Sequence, residues 1–270
     1  MPDPSAVDAT AAVFADLREE GLELDTLVGQ LPDPDWARPT PAPGWSIAHQ
    51  IAHLHWTDRA ALLSLTDADG FGRMVEEALK APDSFVDEGA AEGAGLPPAE
   101  LLARWRSGRA ALDEALGAAS PDTRFPWYGP PMKAASMASA RLMETWAHGQ
   151  DVADALGVRR TPTDRLRHVA RIGVRARDYA FAVRALPAPA GEFRVELTAP
   201  DGTDVWTYGP PDAPQRITGP ALDFCLLVTQ RAHRTDLALT ATGADADRWL
   251  GIAQAFAGPA GPGREPGASR

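Results

Sequence analysis

The chain has 270 residues, enough for one large domain or two ordinary ones, and its 44% hydrophobic and 23% charged residues are the balance of a folded globular protein. A net charge of −11 and a pI near 5.0 argue against nucleic acid or an anionic membrane surface as partner, since both need a basic field. The single cysteine, Cys225, leaves no disulfide framework and no cysteine-rich zinc site. No stretch reaches the roughly 18 apolar residues of a membrane span. The first residues carry no basic-then-apolar leader pattern, so a cytoplasmic protein is expected.

From about residue 5 to 31, apolar residues including Val7, Ala11, Phe14, Leu17, Leu24 and Val28 recur with helical period, and Pro32-Asp33-Pro34 ends the run. A proline-rich loop leads to Trp45-Ser46, where Ser46 is placed to cap a second helix running to about residue 66. Ile47, Ile51 and Leu54 line one side of that helix, and Trp45, Ala52, Trp56 and Leu63 line nearly the opposite side, as in an inner member of a bundle. Three of the six histidines, His49, His53 and His55, sit on it. Residues 71–92 read as a weaker helical segment followed by a flexible Gly/Ala stretch. Pro97-Pro98 opens a long helix whose core face is Leu101, Leu102, Trp105, Ala110, Leu112 and Leu116. Residues 122–132 form a loop with the bulky aromatics Trp127 and Tyr128. A helix over 134–157 ends at Gly157, and 163–185 reads as one more, with arginines on its outer face.

Near Leu186-Pro187 the pattern changes. Residues 193–198 and 204–208 alternate with period two around Asp201-Gly202, the signal of a hairpin. Residues 216–218 and 236–240 read as further strands flanking a helix at 220–232, and a last helix spans 244–257. The expected fold is α+β: a helical bundle over 1–187, a small α/β domain over 188–258, and a disordered Gly/Pro-rich tail over 259–270.

Glu144 and His148 are four residues apart, which stacks them on one helical face, with Asp151 a turn further on. Such pairs are common on solvated helices, and Leu142, Trp146, Ala153 and Leu156 form an apolar stripe opposite. Yet the face carrying the pair is interleaved with Met137, Ala140, Ala147 and Ala155 rather than with charges. A histidine of the second helix, His53 with His49 as competitor, would complete a set of two imidazoles and one carboxylate. Many catalytic zinc sites use that set and leave a fourth position open. Asp58 and Asp151 are candidates to orient an imidazole or to act as a base. Arg141, one turn before Glu144, is a candidate to pair with it or bind an anion, and Arg231 is the candidate anion binder of the C-terminal part. Cys225, set among Phe224 and Leu226-Leu227-Val228, reads as core.

Gly44-Trp45-Ser46 leading into Ile51-Ala52-His53-Leu54, together with Arg141-Leu-Met-Glu144-Thr-Trp-Ala-His148-Gly-Gln-Asp151, resembles the DinB-like superfamily. More closely it resembles the mycothiol-dependent maleylpyruvate isomerase group of actinobacteria. The resemblance implies an N-terminal four-helix bundle with a divalent metal, usually zinc, held by His53, Glu144 and His148. It is the resemblance, not the spacing, that selects His53 over His49. It also implies a sterol-carrier-like α/β domain over 190–257, with a late-helix arginine falling on Arg231.

The expected activity is that of a thiol-dependent isomerase or S-transferase. It would use zinc and mycothiol, or another low-molecular-weight thiol, on a small electrophilic, carboxylated substrate, as a monomer or homodimer. Asp151, Asp58 and Arg141 are the expected catalytic groups. Arg231, Trp127, Tyr128 and His49 are expected to contact substrate, with the 71–95 segment setting specificity. The same residues also admit a hydrolase in which Asp151 or Asp58 activates metal-held water, a metal-dependent lyase or cyclase of specialised metabolism, and a non-catalytic metal-binding module.

Overall fold

The structure, a computed structural model, describes residues 4–81 and 84–267. The chain forms two compact units, one ending at Val158 and the other beginning at Arg159.

The first unit contains α1 (Pro4–Val28), α2 (Ile47–Thr66), α3 (Ala68–Ala78), α4 (Phe85–Ala94), α5 (Pro98–Ala118), a short hairpin of β1 (Arg124–Phe125) and β2 (Met132–Lys133), and α6 (Ala134–Leu156). Helices α1, α2, α5 and α6 make the expected four-helix bundle, and α4 packs on α2. The helix ends follow local chemistry. Ser46 caps α2 together with His49: Ser46 Oγ lies 2.8 Å from His49 Nδ1, which also faces the Ser46 N–H at 3.3 Å. Pro98 opens α5, where its missing N–H costs nothing. Gly157 ends α6 at φ 67°, a left-handed conformation that a residue without Cβ adopts freely. The weak 71–92 segment resolves into two helices, the first capped by the Asp67 carboxylate, which accepts from Gly70 N–H at 2.9 Å.

Two apolar clusters pin this bundle. One gathers Leu24, Val28, Trp36, Ile47, Ile51, Leu54, Leu101, Trp105 and Val152; the other gathers Val13, Ala61, Leu112, Leu116, Met137 and Ala138. Burying each large side chain fully contributes about 1.5–3 kcal/mol, so the clusters fix the helices on either side of what lies between. Between them, α2 and α6 face each other with polar residues. Gln50 meets His148, His53 meets Glu144, and Asp58 meets Arg141, so numbers rise on α2 as they fall on α6 and the helices run antiparallel.

The second unit contains α7 (Leu166–Arg175), α8 (Arg177–Ala182), β3 (Phe193–Thr198), β4 (Val205–Tyr208), β5 (Gln215–Pro220), α9 (Ala221–Val228), β6 (Thr240–Thr242) and α10 (Ala244–Leu250). The sheet order is β4-β3-β5-β6, with β3 antiparallel to β4 but parallel to β5. The predicted hairpin turns at Asp201-Gly202, where the Asp201 carboxylate accepts from the Thr203 N–H at 2.9 Å and its hydroxyl at 2.6 Å. Helix α7 lies close on α9 because Gly173 makes room: a Cβ there would come within 2.7 Å of Val228 Cγ2. Cys225 is buried on α9, with burial pushing its thiol up, in keeping with a core role.

Four details differ from the sequence reading. The units divide at 158/159 rather than near 187, because α7 and α8 pack on α9, β4 and α10. An arginine-faced helix displays one apolar stripe but not which core that stripe joins. The run 163–185 breaks at Ala176 into two helices. Residues 236–240 are not a strand: a 3-10 turn occupies Arg234–Asp236, held by the His233 ring, and pairing with β5 begins at Thr240. The last helix stops at Leu250, seven residues short of the expected end at 257.

The Gly/Pro-rich tail is described as far as Gly267, with hydrogen bonds at Gly258 just before it and at Gly267. Tyr179 Oη donates to the Gly258 carbonyl at 3.0 Å, Gln254 Nε2 donates to the same carbonyl at 3.1 Å, and Gly267 N–H donates to Asp236 at 2.8 Å. Residues 268–270 lie outside the described residues. Among the described residues, no helix is long and apolar enough to cross a membrane.

Candidate metal centre

His53 projects from α2, and Glu144 and His148 project from successive turns of α6. Both imidazoles turn Nε2 toward one oxygen of Glu144: His53 Nε2 lies 3.4 Å and His148 Nε2 3.2 Å from Glu144 Oε2. One donor atom from each residue lies within 4.8 Å of the others, and no other three His, Cys, Asp or Glu side chains converge in this way among the described residues. Two donors at 2.0–2.1 Å from one tetrahedral ion are about 3.3 Å apart, and Glu144 keeps that separation from each imidazole. The donor types suit a zinc-like ion, and the two histidine–glutamate separations match a tetrahedral edge.

Burial alone would raise the Glu144 carboxyl. The hydrogen bonds and charge of His148 and His53 outweigh it and hold the group well below the usual carboxylate range, so it is an ionised acceptor at neutral pH. His53 Nδ1 is buried and, among the described residues, meets no hydrogen-bonding side chain or backbone group. His148 Nδ1 faces Gln50 Oε1 at 2.5 Å.

The other predicted residues divide. Arg141 and Asp58 are paired with each other rather than with Glu144. They are 2% and 4% exposed, and Arg141 Nε donates to Asp58 at 2.9 Å while Nη2 donates to Thr57 Oγ1 at 2.6 Å. A buried charge needs a counter-charge, and each of these supplies the other's. Asp151 is buried in α6 and contributes no atom to the converging group. His49 does not join it either, because its Nδ1 serves the α2 cap. Arg231 follows α9 in the second unit, where its Nη1 donates to the Thr229 carbonyl at 2.6 Å.

Trp127 and Tyr128 belong to a train of rings that reaches the histidines. Ring centroids are 6.1 Å apart for His53 and Trp56, 4.9 Å for Trp56 and Phe85, 6.5 Å for Phe85 and Tyr128, and 5.2 Å for Tyr128 and Trp127. Burial pushes the Tyr128 phenol up to about 12, so it stays a neutral donor.

Motif and spacing do not mark Trp45 and Gln50 as site residues. The Trp45 indole stacks on the His148 ring at 5.9 Å and 19°, sits 5.3 Å from the His53 ring, and donates Nε1–H to Asp87 at 3.0 Å. The available signal for Gln50 was an amide set within the stripe Ile47, Ile51 and Leu54. A separate cavity of about 260 Å³ lies toward α1 and α5, but its arginines are spent on ion pairs: Arg18 with Asp113, and Arg106 and Arg109 with Asp25.

Comparison with known proteins places the fold and the family. The family model described as "Mycothiol maleylpyruvate isomerase N-terminal domain" matches residues 17–153, more than half of the chain, and one described as "Wyosine base formation" matches residues 189–242. Two uncharacterized proteins of Mycobacterium tuberculosis, from strains CDC 1551 and H37Rv, are each 59% identical over 250 residues, covering 93% of this chain and 97% of theirs. The crystal structure of the mycothiol-dependent maleylpyruvate isomerase aligns with a TM-score of 0.60 at 18% identity, covering 86% of this chain and 92% of that one. A histidine-to-alanine mutant of that isomerase aligns at 0.58. At such identity the likeness is one of fold. With the family model spanning the α1–α6 bundle, the chain belongs to the mycothiol maleylpyruvate isomerase N-terminal domain family, of DinB-like fold.

Proposed function

We propose that this protein is a zinc-dependent enzyme of the mycothiol-dependent isomerase or thiol S-transferase type, acting on a small electrophile. The observation that carries the reading is the convergence of His53, His148 and Glu144 donor atoms within 4.8 Å, with each histidine Nε2 about a tetrahedron's edge from Glu144 Oε2. Zinc supplies a Lewis acid whose charge one carboxylate only half neutralises, able to deprotonate a coordinating thiol at neutral pH.

The rest follows from the chain's own side chains. Glu144 stays ionised and adds the single negative charge. Trp45 and Trp56 shelter the imidazoles and limit the access of water, while the rings from Phe85 to Trp127 offer an apolar wall to the body of a substrate. Asp58 and Arg141 neutralise each other and leave no net charge below the site. The hydrolase reading loses one of its two candidate bases to that pair.

The test uses protein purified without a histidine tag. About one zinc per chain is expected, and turnover of a cis-configured electrophile, maleylpyruvate first, is expected only when both zinc and mycothiol are present. Turnover that persists without any thiol would transfer the chain to the hydrolase reading. Protein that takes up no metal, with His53→Ala indistinguishable from wild type, would end the metal reading itself.

A further inference from the structure

We infer that Gln50 is a positioning residue of the metal centre, holding a proton of His148 on Nδ1 so that Nε2 is the nitrogen presented to a metal ion beside Glu144 and His53. This rests on the metal reading above. Gln50 is fully buried, and its amide is held at both ends: Nε2 lies 2.8 Å from Thr40 Oγ1, and Oε1 lies 2.5 Å from His148 Nδ1.

The orientation of that amide follows from Thr40. Thr40 has one hydroxyl proton, directed at the Trp45 carbonyl oxygen at 2.9 Å, and a carbonyl has none to give back. Thr40 Oγ1 therefore accepts from Gln50, so the NH₂ end faces Thr40 and the oxygen faces His148. An amide oxygen only accepts, so His148 Nδ1 carries the proton. Nε2 is then the nitrogen whose proton a metal ion can displace, and without the ion that proton meets Glu144 Oε2 at 3.2 Å. A flipped amide would set NH₂ against Nδ1, send the ring proton to Nε2 and block the ligand atom. A group that orients a ligand imidazole in this way supports metal affinity as well as geometry.

The residue that anchors the relay also bounds the ring. Trp45 supplies the carbonyl that holds Thr40 and stacks its indole on His148. Its loop is closed by Thr40 N–H donating to the same carbonyl at 2.8 Å and Ile47 N–H donating to Arg38 at 3.1 Å. Gln50 fixes which nitrogen faces the centre, and Trp45 fixes the plane of the ring.

The test is a zinc titration of the full-length metal-free protein against a chromophoric chelator, with thermal melting to check that each variant is folded. Gln50→Leu keeps the volume and removes both polar contacts; it is expected to weaken zinc binding about 10- to 100-fold. Gln50→Glu keeps an acceptor toward Nδ1 and is expected to stay close to wild type. Thr40→Val frees the amide to turn and is expected to lose affinity, but less than Gln50→Leu; it carries the test if that variant does not fold. A merely structural glutamine predicts that the Leu and Glu variants fall together or not at all, and either result overturns the inference.

Ring-nitrogen NMR of the metal-free protein gives a second readout. A proton on His148 Nδ1 is expected in wild type and its loss in Gln50→Leu; an unchanged Nδ1–H overturns the inference. If wild type and His148→Ala bind zinc equally, the metal reading fails, and the tautomer measurement alone then decides the role of Gln50.

Discussion

Asp58 and Arg141 on one part of the α2–α6 interface, and His53, Glu144 and His148 on the neighbouring turns, are both clusters of ionisable side chains set between the same two helices. Asp58 and Arg141 bring opposite charges and matched donors and acceptors, with Thr57 taking a further guanidinium N–H. Nothing else is needed to complete them. In the other cluster two imidazole nitrogens confront a single carboxylate oxygen, and the relay from Gln50 keeps one His148 proton on the far nitrogen. That set is complete only with a proton or a metal ion in its middle. The difference lies in the balance of donors and acceptors, not in burial or residue type. A closed pair is a structural element, and a set short of a cation is a site.

Three measurements would sharpen or break that contrast. The largest effect belongs to the closed pair. Asp58→Ala strands the Arg141 guanidinium and is expected to lower unfolding stability by about 3–5 kcal/mol, equally with and without zinc, in urea denaturation. The double replacement Asp58→Leu with Arg141→Leu is expected to recover much of it. A small loss in Asp58→Ala would mean that the pair is not closed.

Next comes the open set. Zinc at 100 times its dissociation constant is expected to add about 2.7 kcal/mol to the wild-type protein, read as a rise in melting temperature, and nothing to Glu144→Gln. Equal stabilisation of both proteins would place the metal elsewhere.

The smallest effect is at the partly exposed network of Asp25 with Arg106 and Arg109, which ties α1 to α5. Burial raises the Asp25 carboxyl, but the two arginines outweigh it and the group is lowered. Because the folded value lies below the unfolded one, this contribution is present above about pH 4 and lost as pH falls through the folded value. Asp25→Asn should flatten the acid limb of the stability curve only there, and added salt should mimic part of the change.

Much of the frame was legible because local chemistry announced it. Ser46, Pro97-Pro98 and Gly157 mark helix ends by properties of single residues, and the period-two runs around Asp201-Gly202 mark a hairpin. Glu144 and His148 were visible as a pair for the same reason, since helical spacing is a local property. What stayed hidden depends on partners distant in the chain. The fate of Arg141 is decided by Asp58, 83 positions away, and that of His148 Nδ1 by Gln50, 98 positions away. The unit boundary was misplaced because the apolar stripe of α7 does not name the helix it meets. The strand at 240–242 was missed because its edge pairing with β5, not its own short sequence, defines it.

The meeting of His53 with Glu144 closes a loop of 91 residues, and α3, α4, α5 and the β1–β2 hairpin all lie inside it. Closure entropy grows only with the logarithm of loop length, so adding ten residues there would cost about 0.1 kcal/mol. The segment that carries Phe71 and Phe85 can therefore lengthen or shorten almost without penalty to the meeting of α2 and α6. A bound ion would act as a removable staple across that span, deducting entropy from the unfolded chain while leaving the wall of rings free to change. In this bundle the groups that would do chemistry and the groups that would choose a substrate are thermodynamically separable.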